Sequence, residues 1–98
     1  MQIVVSGRHM SVTPALRERA AARARKACDH LAEPPPRCAV LLSTESRRHY
    51  AEFSCHYGGR DFVAKAASQR DMYRAIDAAA GKLRRQLETF RGMKASVR

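Results

Sequence analysis

Three consecutive prolines, Pro34-Pro35-Pro36, divide this chain at a fixed point. Proline donates no backbone hydrogen bond and its ring clashes with the preceding turn, so no helix passes through the triplet. Upstream, Thr13-Pro14 marks a helix start, with a hydroxyl at the N-cap and a proline at the first helical position, where its missing N–H costs nothing. The spacing predicts a helix from Pro14 to about His30. Along it Leu16, Ala20, Ala24, Ala27 and Leu31 fall within about 80° of arc at 100° per residue. That narrow stripe of mostly small side chains lets a helix lie close on a sheet. Before it, Gln2–Ser6 is short and β-branched, with Ile3 and Val5 on one face, and is predicted to be a strand that Gly7 ends.

Downstream of the prolines, Cys38–Thr44 is apolar on both faces, the pattern of a central strand. A charged loop, Glu45-Ser46-Arg47-Arg48, follows. Tyr50–Tyr57 then alternates, with Ala51, Phe53, Cys55 and Tyr57 on one face. Gly58-Gly59 is a two-residue hairpin signal, and Arg60–Ala67 returns as a fourth strand carrying Phe62, Ala64 and Ala66. Asp71 is predicted to cap a second helix running no further than Lys94. Its apolar stripe is Tyr73, Ile76, Ala80, Leu83, Leu87 and Phe90, with Gly81 a mild weakness. The order is β-α-β-β-β-α: an α+β fold, a four-stranded sheet with two helices packed on one face.

Ninety-eight residues allow one domain, here residues 1–98, with a modest core and no linker. Lys and Arg number 19 against 9 Asp and Glu, a net charge of +10. A GC-rich genome explains arginine in place of lysine, and it explains the many alanines. It does not explain the net charge. The excess is spread along the whole chain, so it belongs to the folded body and not to a tail. Such a body suits nucleic acid first, then an anionic membrane or an acidic protein. The longest apolar run, Cys38–Leu42, is far too short to span a membrane, and the N-terminus has no signal-peptide hydrophobic region. Cys28, Cys38 and Cys55 form no CxxC pair, and the four histidines form no HxxxH pair. A reduced, cytoplasmic chain without metal or cofactor is expected. No phosphate loop, nucleophile pattern or flanked carboxylate pair occurs, so no enzyme and no small-molecule substrate are expected.

The charge concentrates on the helices. On the first, Arg19, Arg23, Lys26 and His30 recur at i, i+4, i+7 and i+11, flanking the apolar seam, while Glu18 and Asp29 fall on the far side. On the second, Arg74, Lys82 and Arg85 share the outward face and Arg84 and Arg91 lie on a flank. Two basic stripes on one layer can cradle a phosphate backbone. Phe53, Phe62, Tyr73 and Phe90 read as core side chains, Asp71 as a cap, and Asp77 as a partner for Arg74 three residues earlier.

Thr13-Pro14-Ala15-Leu16-Arg17, then Asp71-Met72-Tyr73-Arg74-Ala75-Ile76-Asp77 and Lys82-Leu83-Arg84-Arg85-Gln86-Leu87, in this register over essentially the whole chain, resemble the ribosome hibernation promoting factor family. That family also includes ribosome-associated inhibitor A and carries the older label sigma-54 modulation protein. The resemblance implies a domain similar to double-stranded RNA binding domains. It implies binding to the small ribosomal subunit and its rRNA, in the channel for mRNA and tRNA, which blocks translation in stressed or stationary cells. By matching position it implies RNA contact for Arg17, Arg23, Lys26, Lys82 and Arg85. Charge alone adds Arg19, Arg25, Arg74, Arg84 and Arg91. The chain lacks the acidic tail and the long dimerisation domain of other members and so looks like the short form. No membrane or DNA partner is expected. The rival readings are a general double-stranded RNA binding module and a modulator of a sigma factor through a protein contact.

Overall fold

A computed structural model describes the backbone of residues 1–96 and the side chains of residues 1–92. The elements are β1 (Gln2–Arg8), α1 (Pro14–Cys28), β2 (Arg37–Glu45), β3 (Arg48–Tyr57), β4 (Arg60–Ser68) and α2 (Met72–Ser96). The strands form one sheet in the order β1-β2-β3-β4. β1 runs parallel to β2, which α1 and the prolines make possible as a crossover, and the other pairs are antiparallel. The predicted α+β order holds throughout.

Both helices cover the same face of the sheet. Val5, Cys38, Val40, Leu42, Ala51, Phe53, Cys55, Phe62 and Ala64 point into the core beneath them. The stripe read on α1 is buried as expected, with Ala20 and Ala24 fully inaccessible. α1 packs on β1 and α2, and α2 lies over β3 and β4. Burying a Leu or Ile side chain contributes about 1.5–3 kcal/mol, and Ile76, Leu83 and Leu87 on α2 are all completely enclosed. The Thr13 hydroxyl accepts from Leu16 N at 3.2 Å and an Asp71 carboxylate oxygen accepts from Arg74 N at 2.8 Å, so both predicted caps are in place.

Several boundaries differ from expectation. α1 stops at Cys28, where Asp29 takes over as C-cap, although Leu31 beyond it is still buried. Gly7 does not end β1 but pairs with Leu42 within the ladder. A Cβ there would stand 2.4 Å from the carbonyl oxygen of Met10, so glycine is needed for the chain to turn back towards α1. The charged segment after β2 is not a four-residue loop. Glu45 and Arg48 are ladder partners, leaving a two-residue turn of Ser46 and Arg47. α2 passes Lys94 to reach Ser96, and Gly81 does not interrupt it. β2 is an inner strand as expected, but the sheet face away from the helices is open, and Ala39 and Leu41 are only half-buried there.

Tyr73 is not a core side chain. It is 37% exposed, and Met72, one residue earlier, is buried in its place. Phe53 and Phe62 are buried; Phe90 is half-buried, edge-on to Tyr57 and Phe62 with ring centroids 6.1 and 5.3 Å away.

A candidate nucleic-acid interface on the helix layer

α1 and α2 lie side by side, and the predicted RNA-binding cations divide between the seam that joins them and the flanks beyond it. At the seam Asp77 of α2 accepts from Nη1 of Arg19 at 2.8 Å and from Nε of Arg23 at 2.9 Å. The predicted Asp77–Arg74 pair is therefore replaced by a contact between helices, and Arg74 sits 3.7 Å from Asp71 instead. Arg19 also lies over the Tyr73 ring, 5.2 Å from its centroid, which accounts for an exposed aromatic at that position.

Arg84 closes the same seam further along. Its Nη1 donates to the carbonyl oxygen of Lys26 and, at 2.7 Å, to Asp29, while its Nε reaches Glu88 at 3.3 Å. Asp29 thus faces α2 and not the far side of α1. The hydrogen bond to Asp29 holds the Arg84 proton more tightly than usual. Arg91 completes the set by donating to the carbonyl oxygen of His30 at 2.9 Å. Arg19, Arg23 and Arg84 meet Asp29, Asp77 and Glu88 there, and Lys26 and Arg91 add two cations beside them that form no ion pair among the described residues, so the seam keeps a positive balance. The half-exposed pairs of Asp77 with Arg19 and Arg23 are worth about 0–1 kcal/mol each.

The remaining predicted residues lie elsewhere on the layer. Arg17 donates to the Val5 carbonyl oxygen at 3.0 Å, on the side of α1 away from α2. Arg25 lines a shallow groove with Arg17 on that flank. Lys82 leans over the sheet edge to the Lys65 carbonyl oxygen at 2.9 Å, and Gln86 caps Val63 O at 3.1 Å. Together they occupy outward carbonyls of an edge strand that otherwise invites pairing. Arg85 lies beside Lys82 and Arg60 along an open cleft of about 620 Å³ between β4 and α2. Among the described residues Arg25, Lys26 and Arg85 pair with no carboxylate, and all three are exposed. These are the cations most available to a ligand.

The ten predicted residues therefore do not form one uninterrupted pair of stripes. Half-exposed Arg19, Arg23 and Arg84 are engaged at the seam, and Arg17 stands apart across the apolar stripe of α1. Sequence reasoning missed two features. One is Arg60, whose guanidinium lies 5.2 Å from the Phe90 centroid. The other is the pair Arg47-Arg48 in the charged segment after β2, exposed at a tight turn, for which the adjacency of two arginines is the signal in the sequence. Among the described residues no group of histidines, cysteines and carboxylates is arranged to hold a metal, and no helix is long and apolar enough to cross a membrane.

Comparison with known proteins agrees with this architecture. The family model described as "Sigma 54 modulation protein / S30EA ribosomal protein" matches residues 3–94. The ribosome hibernation promoting factor of Pseudomonas putida is 32% identical over 97 residues, covering 99% of this chain and 93% of the relative. That of Azotobacter vinelandii is 36% identical over 90 residues, covering 89% and 79%, respectively. Among solved structures, a ribosomal subunit interface protein from Coxiella burnetii aligns with a TM-score of 0.79 at 23% identity, over 94% of this chain and 99% of the other. The N-terminal domain of Thermus thermophilus Protein Y aligns with a TM-score of 0.80 at 23% identity, over 92% and 99%. The two structures share its fold, and the near full-length sequence match shows that the chain belongs to the Sigma 54 modulation protein / S30EA ribosomal protein family.

Proposed function

We propose that this protein is a ribosome hibernation factor: residues 1–98 act as one cytoplasmic, non-catalytic unit that binds the small ribosomal subunit in the mRNA and tRNA channel and stops translation by occupying it. The observation that carries the reading is the helix layer, where Arg25 on the outer flank of α1, Lys26 beside the seam and Arg85 over the β4 cleft stand exposed without carboxylate partners, and the seam itself stays positive. The names of the relatives, ribosome hibernation promoting factors, support the choice of the ribosome over other anionic partners.

The mechanism is steric, and electrostatics supplies the affinity. RNA helices are recognised through shape, 2′-hydroxyls and phosphates, because their deep major groove hides the base edges. A rigid layer of guanidinium and ammonium groups meets that requirement, since arginine forks bind phosphate oxygens bidentately. Buried packing of α1 against α2, with Asp77 bridging to Arg19 and Arg23 across the seam, holds the two helices in a fixed relation, so the free cations are presented at set spacing. With about six phosphates neutralised, affinity falls on the order of a thousandfold between about 50 and 200 mM salt.

Sedimentation of the purified protein with small subunits, large subunits and whole ribosomes, at two salt concentrations, tests the reading. Co-migration with small subunits and whole ribosomes, weakened by salt and competed by mRNA with tRNA, is expected. Equal binding to any RNA duplex would instead assign a general double-stranded RNA binding module. Absence of binding at both salts would point to an acidic protein partner.

A further inference from the structure

Two hairpins in this sheet use the same left-handed kind of turn with different residues. Gly58 and Gly59 have φ of 61° and 77°, where a residue without a Cβ is at ease. At the opposite end of β3, Ser46 and Arg47 have φ of 49° and 65°. A two-residue turn with positive φ at both positions follows the twist of the strands and ordinarily takes Asn-Gly. Serine and arginine are poor choices, because their Cβ crowds the following carbonyl. A backbone held against side-chain preference directs attention to what the side chains there do.

Here they place two adjacent arginines, Arg47 and Arg48, exposed at the hairpin tip. The ladders bring further cations to the same end of the sheet. Arg8, the last residue of β1, stands opposite Ser43, two positions from the end of β2. Ser68 of β4 faces His49, and Arg70 follows two residues later. Among the described residues none of Arg8, Arg47, Arg48 or Arg70 forms an ion pair. The carboxylate of Asp71 nearby is already committed to Arg74.

We propose that this hairpin tip, Arg47 and Arg48 supported by Arg8 and Arg70, is a second RNA-binding surface that grips the phosphate backbone apart from the helix layer. The proposal rests on the ribosome-binding reading above. Four guanidiniums outnumber the Glu45 carboxylate that stands opposite Arg48 and shares a groove with Arg8, a balance that suits a phosphodiester backbone, and Arg47 and Arg48 are both exposed at the tip. Nothing in the packing of the core requires arginine at position 47.

The test is the double substitution Ser46→Asn with Arg47→Gly, compared with Arg47→Lys, measured by thermal unfolding and by affinity for isolated small subunits over a salt series. The Asn-Gly turn is expected to raise the unfolding midpoint by a few degrees while weakening small-subunit binding about three- to tenfold at about 100 mM salt, with the salt slope reduced by about one. Arg47→Lys keeps the charge and is expected to retain most of the affinity. Unchanged affinity and slope in the Asn-Gly variant, with the parent binding normally, would overturn the hairpin proposal alone. A parent that fails to bind small subunits would overturn it together with the functional reading.

Discussion

Asp77 on α2 accepts a hydrogen bond from Nε of Arg23 on α1 at 2.9 Å, across 54 positions of sequence. The same carboxylate holds Arg19, so one negative charge ties down two of the predicted RNA-binding cations, Arg23 from the family resemblance and Arg19 from charge alone. Asp77→Asn should therefore separate stability from binding. The loss of two half-exposed ion pairs is expected to cost up to about 1 kcal/mol. Freeing Arg19 and Arg23 is expected to tighten RNA binding several-fold and to steepen its salt dependence, measured by titration at several salt concentrations.

The small-residue stripe of α1 sets the distance between that helix and its neighbours. Ala24 is fully inaccessible, and Ala24→Leu forces extra methylenes into a filled space, at an expected cost of about 1–3 kcal/mol. Leu83→Ala removes volume from the centre of α2 and is expected to cost about 2–5 kcal/mol. Chemical denaturation of both variants checks the pair.

At the start of α2, Asp71→Ala removes the side chain that accepts from Arg74 N. A loss of about 1 kcal/mol is expected, with binding little changed because Asp71 offers nothing to an anion.

The three cysteines sit in the core, and burial pushes the Cys38 thiol up to about 12 and the Cys55 thiol to about 11. A thiol whose proton is held more tightly in the folded state stabilises that state fully below the unfolded value, near 8.5–9. The contribution is lost as pH rises from there towards 11 and 12. Stability is thus expected to fall above about pH 9, and native protein at pH 8 should react with iodoacetamide far more slowly than unfolded protein. Rapid labelling of Cys38 in native protein would contradict the burial.

The element order was legible in the sequence because its signals are local. Thr13-Pro14, the proline triplet, the alternation over 50–57 and the Gly58-Gly59 pair each act within a few residues. Tyr73 misled for a related reason. Met72 and Tyr73 lie 100° apart with Ile76 between them in projection, so either can border the stripe. Arg19, from the other helix, stacks on the exposed ring, and no local pattern carries that information. The same holds for Asp77, whose nearby candidate Arg74 lost to two partners far away in the chain. The turn at Ser46-Arg47 was missed because it breaks the residue rule by which such turns are recognised.

The central claim is that the unpaired cations of the helix layer carry ribosome binding. Triple reversal of Arg25, Lys26 and Arg85 to Glu leaves the Asp77 and Arg84 clamps untouched, so folding can be verified by circular dichroism. Sedimentation of this variant with small subunits at low salt is the most direct measurement. The protein is expected to remain folded and stay in the supernatant, while a folded variant that still pellets with small subunits at parental levels would contradict the claim.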